Sequence, residues 1–281
     1  MKATDLYRKL EQDFVTPGMT DNWYSYMPEL ENYLCDNFKQ RSIGLMCDFA
    51  QQINKVYTAV FPSDNVINKI LSDGTTDAML FIHHASDWDL NKIPGKAFHN
   101  INPLLLDKLQ EKRVSLFCFH TPLDAFGEYS TSKTLADALG ITIEKPFHQH
   151  EGALAGVIGT TDCNDIHELN ARYSQAVGHE TKLYQYGSST IKKIGIVAGG
   201  GCDVAVMNDM AENGLDVLVT GIGKDTRTTE PHDLAKAHSI NILGGTHYSS
   251  EKFACIAMCG YFTNLGPVSE FINGEPCMED L

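Results

Sequence analysis

This chain has no long apolar run, no basic cluster and no C-x-x-C pair among its 281 residues. Its longest apolar stretches, such as residues 78–82, are far too short to span a bilayer. Residues 1–15 carry charges throughout and lack the apolar segment of a secretory signal. Lys and Arg number 22 against 36 Asp and Glu, which gives a net charge of -14. These absences predict a cytoplasmic protein without a membrane partner, and they disfavour a nucleic-acid partner.

The eight cysteines are scattered along the chain. In a chain without a secretory signal, such scattering predicts thiols rather than a disulfide framework. Cys255 and Cys259 stand four residues apart on a segment of helical character, so a zinc-binding pair is one interpretation. We favour the other interpretation, a buried helix face.

The alternation of apolar segments with segments of helical periodicity predicts an α/β fold. Hydrophobic residues make up 43% of the chain, which is enough for a sizeable core. We predict a helical extension at residues 1–40, followed by a domain at residues 41–281. Within that domain, residues 41–140 and 190–281 are expected to form two similar α/β lobes with mixed, largely parallel sheets flanked by helices. Residues 141–189 form a middle section.

Three of the apolar segments are followed by residues of the types that commonly bind metals. His83 and His84 follow the segment at 78–82, and His120 and Asp124 follow the segment at 114–119. His247 and Glu251 come after the segment at 240–243. Ligands of open α/β sheets bind outside the carboxyl ends of the strands, so these side chains are expected at one rim. Imidazoles combined with carboxylates suit zinc, iron or manganese better than calcium or magnesium. Two carboxylates could also bridge a pair of ions.

Each of these motifs has a simpler explanation when it is taken alone. A histidine at a strand end is more often hydrogen-bonded than bound to a metal. A helical pair such as His247 and Glu251 is commonly a surface pair. Three such motifs after three buried strands are harder to explain in this way, and together they favour a metal site.

Other patterns leave alternatives open. The glycine run at 199–201 leads into a helix near Asp203, so its amides could hold a phosphate, although a tight turn is the interpretation that we favour. His148 and His150 would share one face of a strand and could form a second metal site; a solvated strand end is simpler. Residues 87–89 are predicted as a loop, from which Trp88 could stack on a flat substrate or serve as an ordinary hydrophobic anchor.

The chain resembles the NGG-interacting factor three-like family, dinuclear metal-binding proteins that are often called type-two GTP cyclohydrolase homologues. The resemblance covers about residues 41–275 and rests on four motifs: Phe81-Ile-His83-His84, His120-Thr-Pro-Leu-Asp124, Gly199-Gly-Gly201 with Leu215-Asp-Val-Leu-Val-Thr220-Gly221, and Gly245-Thr-His247-Tyr-Ser-Ser-Glu251. It implies two divalent ions (zinc, iron or manganese) in the cleft between the lobes. The implied metal ligands are His83, His84, Asp124, His247 and Glu251.

The same resemblance implies a function. Asp124 and Glu251 would bridge the ions, and His120 would be an unligated neighbour that serves in catalysis. The implied activity is metal-dependent hydrolysis of a small molecule, with nucleotides and other phosphorylated compounds among the candidates. The alternative is a non-catalytic protein for metal binding, metal delivery or regulation. Family members form ring-like hexamers, so a homo-oligomer is implied as well.

Two departures from the family pattern bear on the substrate. The family usually has proline after the paired histidines, where this chain has Ala85. It usually has an acidic residue after the Thr-Gly turn, where this chain has Ile222. Both changes are expected to alter the pocket wall rather than the ligand set.

Overall fold

A computed structural model describes residues 1–163, 165–224 and 227–281. The chain divides into two compact units. Unit 1 consists of Met1–Leu123 and Cys255–Glu275, and unit 2 of Asp124–Ala254 and Pro276–Leu281. Among the described residues, no helix combines the length and the apolar character that a membrane crossing requires.

Strands and helices alternate along most of the chain. The strands are β1 (Gly44–Cys47), β2 (Lys55–Ala59), β3 (Ala78–Ile82), β4 (Asp87–Ile93), β5 (Lys96–His99), β6 (Val114–Cys118), β7 (Thr142–His150), β8 (Ala153–Thr160), β9 (Lys182–Tyr184), β10 (Lys193–Val197), β11 (Val217–Thr220), β12 (Asn241–Gly244) and β13 (Val268–Phe271). The α-helices are α1 (Ala3–Phe14), α2 (Asp36–Arg41), α3 (Asp64–Ser72), α4 (Pro103–Glu111), α5 (Thr121–Asp124), α6 (Thr131–Ala138), α7 (Ile166–Val177), α8 (Val204–Glu212), α9 (Glu230–Ala237) and α10 (His247–Leu265). Short 3-10 helices lie at Trp23–Tyr26, Pro28–Leu30 and Met278–Asp280.

Unit 1 is built on a five-stranded sheet in the order β1-β6-β3-β2-β13. Its pairs are parallel except for β1 with β6, which are antiparallel. Both β3 and β6 are buried along their whole length, as expected of strands that are covered on both faces. Ser63 caps α3 by accepting a hydrogen bond from the backbone N–H of Val66.

The N-terminal segment contributes to the core of unit 1. Leu6 and Leu10 of α1 are fully buried. Trp23, Met27 and Leu30 lie in the same apolar cluster as the buried side chains of β3 and β6. The burial of these side chains stabilises the segment in place, at about 1.5–3 kcal/mol for each large apolar side chain.

Unit 2 is built on a six-stranded sheet in the order β7-β8-β10-β11-β12-β9. The central strands β10, β11 and β12 are parallel, and the outer pairs are antiparallel. Successive side chains of β11 fall into two different apolar clusters: Val217 and Val219 join residues of α6 and α7, and Leu218 joins residues of α8 and α9. Because successive side chains of a strand face opposite ways, helices cover both faces of this sheet.

These sheets confirm the predicted fold class, an α/β protein with mixed, largely parallel sheets flanked by helices. One local prediction is wrong, because residues 87–89 are part of β4 rather than a loop. The strand β4 pairs antiparallel with β5 across a turn at Gly95, whose φ is +75°. The strand β4 is only partly buried, and the alternation of Trp88 and Leu90 with polar residues along it is the signal of a half-buried strand that the loop prediction overlooked.

Candidate metal centre

Three histidines, His83, His84 and His120, form a histidine cluster in unit 1. Each offers a ring nitrogen, and these three nitrogens all lie within 4.8 Å of one another. His83 and His84 directly follow β3, and His120 lies just beyond the end of β6. Because β3 and β6 are parallel neighbours, their carboxyl ends deliver the three imidazoles to one place. These side chains could hold a metal ion.

Both paired imidazoles are buried, and a hydrogen bond fixes the form of the His83 ring. His83 is 0% exposed and His84 is 1% exposed. Nδ1 of His83 lies 3.0 Å from the carbonyl oxygen of Phe119. A carbonyl can only accept a hydrogen bond, so Nδ1 carries the hydrogen and Nε2 carries the lone pair. Such a backbone contact is the usual device that orients a metal-binding histidine.

Aromatic rings enclose the histidine cluster. The ring of Phe61 stacks on His84 with the centroids 4.6 Å apart. Trp23 meets His84 and His120 in T-shaped contacts, with centroid distances of 5.7 and 5.3 Å. Packing of this kind restricts the rotation of the imidazoles and holds them ready for a ligand.

Asp21 reaches the histidine cluster from the N-terminal segment. Its Oδ2 lies 2.6 Å from Nδ1 of His120 and accepts a hydrogen bond from Oγ1 of Thr121 at 3.0 Å. Burial raises the pKa of this carboxyl, but the hydrogen bond and charge of His120, together with hydrogen bonds from the N–H of Asn22 and from Thr121, outweigh burial, and the pKa falls to about 2. Sequence reasoning missed Asp21, since the two partners stand 99 residues apart and no spacing links them.

A His/Glu pair lies at the start of α10 in unit 2. His247 and Glu251 are four residues apart on one helix face, and Nε2 of His247 lies 3.2 Å from Oε1 of Glu251. His247 is 7% exposed and Glu251 is 3% exposed. The backbone N–H of His247 donates to Oδ2 of Asp280 at 2.9 Å, which satisfies an amide at the helix start. This buried imidazole and carboxylate could also hold a metal ion.

Gly199 makes room for the Glu251 carboxylate within unit 2. Its φ is +71°, and a Cβ at this position would lie 2.2 Å from Oε1 of Glu251 and 3.3 Å from Cδ2 of His247. The N–H of Gly199 donates to Oγ of Ser250 at 2.9 Å. This residue therefore has to be glycine for two reasons, its backbone conformation and the close approach of a functional side chain.

The glycine run is poorly suited to phosphate. The N–H of Gly201 donates to Oγ1 of Thr220 at 3.0 Å, so this amide is engaged, as is that of Gly199. The carboxylate of Asp203 caps α8 by accepting a hydrogen bond from the N–H of Val206 at 2.8 Å. A carboxylate at the helix start repels an anion, and the run therefore supports the tight-turn interpretation.

Asp124 stands at the end of α5 and is half-buried. Its Oδ1 accepts a hydrogen bond from Oγ1 of Thr131 at 2.7 Å. Carboxylates that bind metals are commonly oriented by such a hydrogen bond.

The remaining sequence candidates have ordinary structural roles. Nδ1 of His148 lies 2.8 Å from Oδ2 of Asp209, and His150 is exposed. Sγ of Cys255 donates to the carbonyl of Ala59 at 3.3 Å within the core, and no disulfide involves any of the eight cysteines. Among residues 1–163, 165–224 and 227–281, no candidate metal group includes these histidines or a cysteine.

Curated proteins of similar sequence carry the name GTP cyclohydrolase 1 type 2 homolog. The protein from Pyrococcus horikoshii is 25% identical over 244 residues, which cover 85% of this chain and 91% of the relative. The protein from Vibrio cholerae is 24% identical over 234 residues, which cover 82% of this chain and 86% of the relative. Both alignments extend over most of this chain and most of the relative.

Solved structures share the fold. The structural-genomics protein ybgI, of unknown function, has a TM-score of 0.77 at 18% identity, covering 99% of this chain and 100% of that chain. TTHA1606 from Thermus thermophilus has a TM-score of 0.69 at 19% identity, with the same coverage of 99% and 100%. A family model described as Duf34/NIF3 (NGG1p interacting factor 3) matches residues 33–272. The chain therefore belongs to the NGG1p interacting factor 3 family.

Proposed function

We propose that this protein binds two divalent metal ions and uses them to hydrolyse a small molecule. The observation that carries the proposal is the presence of buried donor groups in each unit, the histidine cluster in one and the His/Glu pair in the other. The proposed ligands are His83, His84, Asp124, His247 and Glu251, with Asp124 and Glu251 as bridges. The homo-hexamer implied by the family belongs to the same proposal.

The chemistry of the donors supports this ligand set. Imidazoles and carboxylates in combination are the donors that zinc, iron and manganese prefer. A carboxylate that is 3% exposed, as Glu251 is, is costly to bury unless a cation offsets its charge. Divalent ions would supply that charge, and the burial of four of the five proposed ligands favours retained ions over a rapidly exchanging delivery site.

His120 is the proposed catalytic residue. Bound divalent ions supply Lewis acidity, which polarises a carbonyl, imine or phosphoryl group and makes a water molecule a stronger acid. The His120 ring lies beside the paired histidines, with its centroid 5.1 Å from that of His83 and 4.8 Å from that of His84. From there it can exchange a proton with a molecule bound at the cluster.

The substrate is proposed only by class. The name of the curated relatives places GTP among the compounds to test. Because the glycine run is engaged in internal hydrogen bonds, a phosphate of the substrate would have to be held elsewhere, and the metal ions are the natural partner.

Hydrolysis is tested with metal-loaded, full-length protein on GTP and a panel of phosphoesters. The wild type is expected to turn over at least one compound. Loss of a residue that only orients a metal ligand lowers activity by roughly 10–100-fold. The His247→Ala/Glu251→Ala variant removes two proposed ligands themselves and should lose more activity than that. The matched control is His150→Ala, which removes an exposed histidine and should leave the rate unchanged.

Absence of any turnover, or equal turnover in the double variant, contradicts hydrolysis. Ions bound without turnover would support the non-catalytic role in metal binding or delivery.

A further inference from the structure

We propose that Asp21 is a positioning residue, which holds His120 in the tautomer that carries its lone pair at Nε2. Asp21 precedes residues 33–272, the part of the chain that the family model matches. The proposal thus gives the N-terminal segment a role in the site. The effect on turnover rests on the proposed function, whereas the tautomer itself does not.

The Asp21 carboxylate accepts two hydrogen bonds and also contacts the ring nitrogen Nδ1 of His120. Oδ2 lies 2.6 Å from Nδ1 of His120 and 3.0 Å from Oγ1 of Thr121, and Oδ1 accepts from the N–H of Asn22 at 2.7 Å. A carboxylate surrounded by donors acts as an acceptor only. The hydrogen between Asp21 and His120 therefore belongs to Nδ1, and in the neutral ring the lone pair belongs to Nε2.

The position of the His120 ring determines which of its atoms a molecule bound at the histidine cluster would meet. Nε2 points away from the hydrogen bond to Asp21, and the rings of His83 and His84 lie within 5.1 Å of the His120 centroid. The tautomer with the hydrogen at Nε2 would present a donor instead of an acceptor to a molecule bound at the cluster. Asp21 decides between the two, as the orienting carboxylate does beside a catalytic histidine in general.

The segment that carries Asp21 is anchored well enough to impose this choice. The backbone N–H of Asp21 donates to the carbonyl of Arg41 at 2.8 Å, and the N–H of Tyr24 donates to Oγ of Ser42 at 2.9 Å. Trp23, which is 9% exposed, packs edge-on against the His120 ring. A half-buried carboxylate on a segment that is held at two points keeps its partner in one orientation, whereas a mobile surface residue would not.

The test is imidazole NMR on full-length, histidine-¹⁵N-labelled protein in the presence of zinc, with His120 assigned by comparison with a His120→Gln sample. The wild type is expected to show His120 with its hydrogen at Nδ1. Asp21→Ala should shift the population toward the tautomer with the hydrogen at Nε2. Thr121→Val is the matched control, because it removes the other donor to Oδ2 and should leave the His120 tautomer unchanged.

Two results would overturn the proposal: a wild-type His120 with its hydrogen at Nε2, or an Asp21→Ala spectrum identical to the wild type. The wild-type spectrum can refute the proposal without any variant. The proposal therefore stays testable even if the Asp21→Ala variant does not fold. Asp21→Asn keeps an acceptor oxygen and should retain the Nδ1 tautomer in part. If the protein hydrolyses a substrate, Asp21→Ala should lower kcat by about 10–100-fold with metal content unchanged. Lack of turnover in the wild type would contradict hydrolysis, but it would not affect the His120 tautomer measured by NMR.

Discussion

The His83→Ala variant is expected to retain at most one metal ion per chain, whereas the wild type is expected to retain two. The imidazole of His83 is 0% exposed and is oriented by the carbonyl of Phe119, so another side chain could take its place only if the core rearranged. Structural metal sites derive their affinity from a complete set of oriented ligands, and loss of one ligand lowers it sharply. Elemental analysis after exhaustive dialysis, together with protein concentration, measures the number of ions.

The comparison variant for His83→Ala is His150→Ala. It removes the same chemical group from an exposed position at the end of β7, outside the proposed ligand set. Circular dichroism establishes that both variants are folded. Two retained ions in His83→Ala, or the same loss in both variants, would show that this histidine is not a ligand.

Gly199→Ala is expected to weaken metal binding by about 10–100-fold, although it changes no proposed ligand. The new Cβ would lie 2.2 Å from Oε1 of Glu251, so the carboxylate has to move. The backbone φ of +71° adds a cost of about 1–2 kcal/mol to the folded state, since a residue with a Cβ adopts this conformation reluctantly. Calorimetric titration with zinc measures the affinity, and urea unfolding measures the stability.

Gly200→Ala is the matched control for this substitution. A Cβ at Gly200 would meet no atom of the described residues within 4 Å, and its φ is outside the left-handed region. The variant should bind zinc as the wild type does, and its free energy of unfolding should be unchanged or raised by about 0.4–1 kcal/mol. Equal effects at the two neighbouring glycines would refute the close approach of Gly199 to Glu251.

Several elements of the fold could be predicted from the sequence because their burial dictates their composition. The strands β3 and β6 are buried along their whole length, and each is a nearly continuous apolar run in the sequence. The helix α3 begins directly after Ser63, whose side chain accepts the hydrogen bond that a cap requires. The carboxyl ends of parallel strands lie at the same edge of a sheet, and the parallel pairing of β3 and β6 brings the three histidines of unit 1 together there.

Other parts of the site could not be predicted, because they depend on contacts between residues far apart in the chain. Asp21 and Trp23 stand in a segment with no motif, and only the folded chain brings them to His120. The hairpin of β4 and β5 is a different case, because Trp88 and Leu90 alternate with polar residues along β4 and this alternation could have identified the strand. The need for glycine at Gly199 follows from the position of Glu251, which lies on a different element and is not marked in the local sequence.

Anomalous diffraction at the zinc edge, from crystals of the full-length, zinc-loaded protein, would locate the proposed pair of metal ions and their five ligands. Two anomalous peaks per chain are expected, roughly 3.5–4 Å apart. Each peak should lie about 2.0–2.2 Å from the donor atoms that bind it, and the donors of the two peaks together should be His83, His84, Asp124, His247 and Glu251. A single peak, no peak, or peaks bound by other residues would contradict the proposed pair.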